Sequence, residues 1–342
     1  MIHHFHLRAK APAFHRARLG ALVGLLLVLG ASQAEALDKV SVGTDWLPDA
    51  ERGGYYEAKA TGIYEKHGLD VTIVAGGPSV NNPQLLATGQ LDAAVISSAI
   101  QVMNYAKTGV PIVAVAAIYQ KNPQILMAHK SQGFKSLADL KGRPIMISAL
   151  ARDSYWAWLK AAYGYTDDQI RPYTFNMAPF LHDPTAIQQG YATYEPHSAE
   201  QSGADPQVFL LADSGYQDYA ALLSFPKQTI EKNPSLVQRF VDATIEGCYA
   251  FLYGDAAPGI GLIKKSNPEI NDDNIANSRK VLVADGIIDS GDAKNLGIGA
   301  MTDQRWAALF DQMSKAGVLP AGDYWKSAYT LSFTDKKVGM TK

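Results

Sequence analysis

The chain has 342 residues and a single cysteine, Cys248, so no intramolecular disulfide can staple it. Its stability must come from an apolar core. A basic excess is missing too: 31 Lys and Arg stand against 33 Asp and Glu, for a formal net charge of −2. Without a basic stripe, the chain is a poor candidate for nucleic-acid binding. Beyond residues 19–30 no long apolar run occurs, so a transmembrane anchor is not expected. Enzyme signatures are equally scarce. There is no G-x-S-x-G elbow, no G-x-x-x-x-G-K-[ST] phosphate loop, no H-E-x-x-H and no Gly-rich dinucleotide fingerprint. His67, His129, His182 and His197 stand singly, and His182, Asp183 and His197 read as loop residues rather than as a metal site.

What the first residues do contain is a secretory leader. Arg8, Lys10, Arg16 and Arg18 charge the start, residues 19–30 (LGALVGLLLVLG) form an apolar run too short to span a bilayer, and Ala34-Glu35-Ala36 offers a cleavage site. Cleavage after Ala36 leaves 306 residues; it removes four basic residues and one acid and moves the formal charge from −2 to −5. Cys248 lies far from the leader, so no lipid anchor is expected and the product is read as periplasmic. A chain of this length accommodates two lobes of ordinary domain size.

Apolar β-branched runs alternate with helical patterns, the mark of an α/β fold with a parallel sheet. Strands are expected at 40–44, 69–74, 93–96 and 112–118, with Tyr56, Ala60, Ile63 and Tyr64 on one helical face between the first two. Gly68, Gly89 and Gly109 stop the helices of this set. A second set follows, with strands at 124–129, 145–148 and 170–176, a helix from Tyr155, a short helix ending at Gly190, and a strand over 191–195. The segments LLATGQLDAAVISS (85–98) and AIQQGYATYEPHS (186–198) share a helix, glycine, strand plan, which suggests lobes of related build. From residue 233 the chain turns helical. Asn233-Pro234 opens a helix with an apolar stripe of Val237, Val241, Ile245, Cys248 and Leu252, and Thr302 caps another carrying Trp306, Phe310 and Met313. Cys248 therefore reads as a core filler rather than a reactive thiol.

Ligands of open α/β sheets bind beyond the carboxyl ends of strands, where helix N-termini offer free N–H donors. Those ends hold Asp45-Trp46, Gly76-Gly77-Pro78, Ser97-Ser98, Tyr119-Gln120, Arg152-Asp153-Ser154 and Tyr194-Glu195. Aromatic and amide side chains suit a flat ring held by stacking and by hydrogen bonds at its edge. Ser97, Ser98 and Asp153 serve equally well as helix N-caps.

The segments DWLPDAERGGYYEAKATGIYEKHGLDVTI, LLATGQLDAAVISS, PIVAVAAIYQKNPQILMA and SLADLKGRPIMI, with NPSLVQRFVDATIEGCYAFL and GIGAMTDQRWAALFDQMSKAGVL later on, resemble the substrate-binding proteins of ABC importers. Within them the chain is similar to the branch that includes carriers of thiamine-pyrimidine precursors, taurine and alkanesulfonates. The resemblance covers essentially all of the processed chain and implies a type II periplasmic-binding-protein clamshell. Two Rossmann-like lobes would be joined by a two-segment hinge, with residues 37–122 and 215–342 in one lobe and 123–214 in the other. It further implies a monomer that passes a small molecule to an inner-membrane permease, with no catalysis, cofactor or metal.

The D-W-x-P start is similar to the thiamine-pyrimidine branch, which implies that Trp46 stacks on a heterocycle with Asp45 as an edge acceptor. Tyr194-Glu195, at the matching strand end of the second lobe, would complete the lining. The fold is shared by a pyrimidine synthase whose chemistry uses a loop histidine and a cysteine-rich run. Here Arg52 takes the histidine's place and no cysteine cluster exists. Arg52 and Arg152 leave a second ligand class open, because an arginine beside a helix N-terminus suits a carboxylate or sulfonate. The aromatic residues favour the heterocycle.

Overall fold

The computed structural model describes residues 36–340 except Pro78, Ser79 and Asp153. The leader, all but Ala36, lies outside the described residues. Among those described, no helix is long and apolar enough to cross a membrane.

The first run of elements comprises β1 (Asp38–Gly43), α1 (Gly53–Ala60), α2 (Ile63–Lys66), β2 (Leu69–Val74), α3 (Asn82–Ala87), β3 (Ala93–Ile96), α4 (Ala99–Thr108) and β4 (Ile112–Tyr119). The second comprises β5 (Gln124–His129), β6 (Ile145–Ile147), α5 (Tyr155–Tyr163), β7 (Ile170–Pro172), α6 (Ala178–His182), β8 (Ile187–Tyr191), α7 (Glu195–Gln201) and β9 (Pro206–Leu210). β10 (Ala220–Pro226) follows, and then the helices α8 (Lys227–Lys232), α9 (Pro234–Tyr253), α10 (Ala257–Ser266), α11 (Asp272–Ala284), α12 (Ala293–Leu296) and α13 (Asp303–Lys315).

These strands build two five-stranded sheets of matching order, β2-β1-β3-β10-β4 and β7-β6-β8-β5-β9. Neither sheet is purely parallel, which corrects the expectation from the alternating pattern. β10 runs antiparallel between β3 and β4, and β5 antiparallel between β8 and β9. Each odd strand follows a passage of the chain from one sheet to the other, so it enters in the reverse sense. Such entry strands are as apolar as the parallel ones, and their direction leaves no trace in the pattern.

β4 (IVAVAAIY) is buried along its whole length, as a continuous β-branched run in a covered sheet should be. α9 begins where the Asn233 side chain accepts from the Leu236 N–H, with Pro234 in the first turn. Its apolar face packs on α1 so closely that a Cβ at Gly54 would lie 2.4 Å from the Cys248 sulfur. Cys248 is buried, and that burial pushes its thiol up to about 12, in keeping with a core role.

Two further expectations change. The helical face running from Tyr56 to Tyr64 is split by Gly62, in the left-handed region at φ 71°, so α1 and α2 are separate. The helix expected to end at Gly190 is β8, which runs on to Tyr191, and the strand expected over 191–195 is instead a turn at 192–194 leading into α7. Gln188 and Gln189 are buried in the second sheet, where tertiary position overrides their weak strand propensity. The glycine-centred plan shared by 85–98 and 186–198 is therefore coincidental. The kinship of the two halves lies in strand order.

Candidate functional site

The carboxyl end of β1 is crowded, and the crowding sets the direction of the next residues. A Cβ on Gly76 would lie 2.0 Å from the Thr44 carbonyl oxygen, so only glycine lets that loop close in. The Asn82 amide donates to the same carbonyl at 2.6 Å, while the Trp46 carbonyl accepts from the Thr44 hydroxyl at 2.9 Å and the Gly76 N–H at 3.1 Å. With its backbone held in this way, Trp46 projects over a cavity of about 1130 Å³ between the two sheets.

Asp45, Trp46, Arg52, Gly77, Ser97, Ser98, Ser154, Tyr194 and Glu195 line this cavity. Pro78 and Asp153 lie outside the described residues. Tyr119 and Gln120 are not part of the wall. The buried Tyr119 hydroxyl donates to the Glu51 carbonyl at 2.7 Å, and the Gln120 amide donates to the Ala117 and Ala300 carbonyls at 3.3 and 2.8 Å. Tyr119 thus braces Glu51 from behind, while Gln120 ties the end of β4 to Ala300. Ser98 caps α4 by accepting from the Ile100 N–H at 3.2 Å, and the Ser97 hydroxyl donates to Asp45 at 3.0 Å.

Arg52 is only 6% exposed and is enclosed by three carboxylates. Its Nε and Nη2 donate to Asp45 Oδ1 at 3.0 and 2.9 Å, and its Nη1 meets Asp49 at 3.1 Å and Glu51 at 2.5 Å. Burial alone would depress its pKa, but Asp45, Asp49 and Glu51 together hold it well above the ordinary value. Four of the five N–H donors of this guanidinium are committed in this way and three carboxylates face its single charge, so it is a poor clamp for an anion. Arg152, the other candidate clamp, is exposed and does not line the cavity. Apart from Arg52, no lysine or arginine among the described residues does so.

The opposite wall is aromatic. Tyr173 is buried, and its hydroxyl donates to Glu195 Oε1 at 3.1 Å, while Glu195 Oε2 accepts from the Tyr191 N–H at 2.7 Å. Glu195 faces the cavity away from bulk water, and that desolvation pushes its carboxyl up to about 7. Gly190 makes room for it: a Cβ there would lie 2.9 Å from that of Glu195.

Phe175 went unread in the sequence. It is 41% exposed, has a positive φ of 59°, and sets its ring 5.1 Å from that of Trp46 at 50°. An exposed phenylalanine in the left-handed region is uncommon and costs backbone energy. Its only sequence cue was the aromatic pair Tyr173 and Phe175 after β7.

Two groups of contacts hold the walls in register. At the back, the fully buried Asp218 accepts from the Ala99 N–H at 3.0 Å, the Asn122 amide at 2.8 Å and the Tyr216 hydroxyl at 3.2 Å, and so ties both chain crossings to α4. Burial pushes Asp218 up to about 6. At the front, the Thr193 hydroxyl donates to Glu51, and its carbonyl accepts from the Ser278 hydroxyl at 2.9 Å and the Asn277 amide at 3.3 Å. His197 meets Asp273 at 2.6 Å beside it, while Asp183 accepts from Thr185. No group of three metal-ligating side chains occurs among the described residues.

The family described as NMT1/THI5 like matches residues 49–255. A riboflavin-binding protein, RibY, of Chloroflexus aurantiacus is 26% identical over 305 residues, spanning 87% of this chain and 86% of the relative. A formylaminopyrimidine-binding protein of Halalkalibacterium halodurans is 24% identical over 247 residues, 70% of this chain and 74% of its own. In structure, the periplasmic aliphatic sulphonate binding protein SsuA of Escherichia coli superposes with a TM-score of 0.64 at 15% identity, covering 85% of this chain and 91% of that one. At that identity the likeness is one of fold. The chain belongs to the NMT1/THI5 like family and has the periplasmic-binding-protein fold found in ligand-binding components of ABC-type import systems.

Proposed function

We propose that the chain is the exported receptor of an ABC-type import system, closing two lobes on a small aromatic nitrogen heterocycle and handing it to an inner-membrane permease. One lobe comprises residues 37–122 and 215–342, the other residues 123–214. The observation that carries this reading is the locked Arg52. With its charge and four of its five donors engaged by Asp45, Asp49 and Glu51, the cavity presents carboxylates and aromatic rings instead of a free cation. Such a wall suits a neutral or basic ring with N–H groups at its edge. Two relatives whose names specify riboflavin and formylaminopyrimidine support the same chemical class.

Trp46 and Phe175 face each other from the two walls, so the ring would lie between them. A flat ring needs about 3.5 Å on each side, about 7 Å in all. The present 5.1 Å between ring centres therefore has to widen as the lobes part. Trp46, Phe175 and Tyr194 would supply stacking, and Asp45, Ser97 and Glu195 edge contacts. No step of catalysis is assigned to the chain.

A thermal-shift screen over aminopyrimidines, flavins and alkanesulfonates tests the ligand class, because a ligand of the folded state raises stability by mass action. Heterocycles should raise Tm and sulfonates should not. Trp46→Ala should lose most of the binding while remaining folded. A sulfonate that binds wild type, with affinity that survives Trp46→Ala, would refute the reading, and so would chemical turnover of a bound heterocycle.

A further inference from the structure

The second sheet brings a buried amide to the cavity. Consecutive residues of β8 point to opposite faces. Gln188 takes one face, where its amide donates to the Met177 sulfur at 2.9 Å; Gln189 takes the other and lines the cavity with Ser148, Tyr155 and Tyr191. Gln189 is 5% exposed, and its Oε1 accepts from the Ser148 backbone N–H at 2.6 Å and from the Tyr155 hydroxyl at 2.8 Å. A backbone N–H can only donate, so the atom that meets it is the amide oxygen and not the nitrogen. Ser148 follows β6 and Tyr155 opens α5, and both are buried, so the oxygen is held from two separate elements.

With the oxygen anchored, the amide nitrogen is left to the cavity, and its two N–H donors meet no acceptor among the described residues. The Ser148 hydroxyl beside it makes no hydrogen bond among them either. A buried amide bonded twice at one end and not at all at the other is incomplete, and an unmet donor in a closed cleft is costly. The first sheet offers the reverse chemistry, because a carboxylate such as Asp45 accepts. A ring lying between the two sheets is therefore asked for a donor on one edge and an acceptor on the other.

We propose that Gln189 determines specificity: its amide donors bond a ring nitrogen or ring carbonyl on the ligand edge that faces the second sheet, so rings without an acceptor there are rejected. This rests on the heterocycle reading above and deepens it from a flat ring to the hydrogen-bonding order of its edges. Ser148 and Tyr155 are positioning residues that act by holding the Gln189 oxygen. A hydrocarbon ring of the same shape would stack between Trp46 and Phe175 but leave the Gln189 donors unmet, a mismatch that sites built around hydrogen bonds reject strongly.

Calorimetric titrations at about pH 8 with 4-aminopyrimidine and with aniline, which keeps the ring size and the amine but has no ring nitrogen, test the proposal. Wild type should bind 4-aminopyrimidine about tenfold more tightly than aniline. Gln189→Glu keeps the oxygen that Ser148 and Tyr155 hold and replaces the N–H donors with a second oxygen, and those two bonds favour its ionised form. It should weaken 4-aminopyrimidine about tenfold and leave aniline within about twofold. Gln189→Met removes the donors without adding charge and should separate the two compounds in the same way, so neither a charge effect nor a folding defect in one variant decides the result. Tyr155→Phe frees one side of the amide oxygen and should weaken 4-aminopyrimidine by about threefold, again sparing aniline. Equal affinity of wild type for the two compounds, or Gln189 variants that weaken both alike or neither, would overturn the role of Gln189. The heterocycle reading itself fails only if no heterocycle of the thermal screen binds wild type.

Discussion

The two walls of the cavity solve opposite problems. The wall built on β1 gathers three carboxylates around Arg52 and turns a short acidic segment into a rigid, cross-bonded floor. The wall built on β7 and β8 spends its residues on rings, and its one acid, Glu195, is shielded by a tyrosine and a backbone N–H rather than by a cation. Charge is thus fixed on one side and stacking surface exposed on the other. A carboxylate can be kept in a closed cleft either by pairing it or by raising its pKa, and this protein does both.

Removing the pairing cation should break this contrast most severely. Arg52→Ala leaves three clustered carboxylates without a cation and should cost about 3–5 kcal/mol of stability, measured by urea unfolding at neutral pH. A loss below about 1 kcal/mol would mean that the cluster is solvated rather than structural.

On the aromatic side, Phe175→Gly removes a ring and relieves a left-handed backbone position. Ligand affinity should fall about tenfold, roughly 1.4 kcal/mol, with stability unchanged to within about 1 kcal/mol because relieved strain offsets the added chain entropy. Titration calorimetry and thermal melts of the same sample read both. Undiminished affinity would remove Phe175 from the site.

Glu195 sharpens the contrast through pH. Its folded pKa of about 7 lies above the ordinary value of 4.5, so its contribution to stability is present below about pH 4.5 and is lost as pH rises through 7. Glu195→Gln should cancel that part of the decline, so the difference in Tm between variant and wild type should grow in the variant's favour from pH 5 to pH 8. A constant difference would show that Glu195 titrates normally. The smallest effect concerns salt. With no free cation in the wall, affinity for a neutral heterocycle should change less than about twofold between low and physiological ionic strength; a steep salt dependence would point to an ion pair with the ligand.

The fold could be read where local rules and tertiary position agree. Gly68, Gly89 and Gly109 end their helices or turns with positive φ, as their place after apolar runs implied. Ser98 and Asn233 cap helices, and the Cys248 stripe is buried. Reading failed where a long-range partner decides. Gln188 and Gln189 look helical until a sheet surrounds them, and the sense of β5 and β10 depends on the crossings that precede them. At the site, Asp45 and Trp46 could be found from the strand end. Arg52 could not be read as locked, because that required Asp45, Asp49 and Glu51 to converge on it. Phe175 gave almost no signal, since neither strained backbone nor a facing ring across a cleft leaves a periodic mark.

Thr193 has no place in the cavity wall, yet it joins Glu51, Ser278 and Asn277 across the front of the cleft. On the proposed two-lobe reading, those bonds break before the lobes part, whatever has been captured. They therefore act on residence time rather than on fit, so substitutions at Thr193 can retune how long a cargo dwells without altering which cargo is chosen.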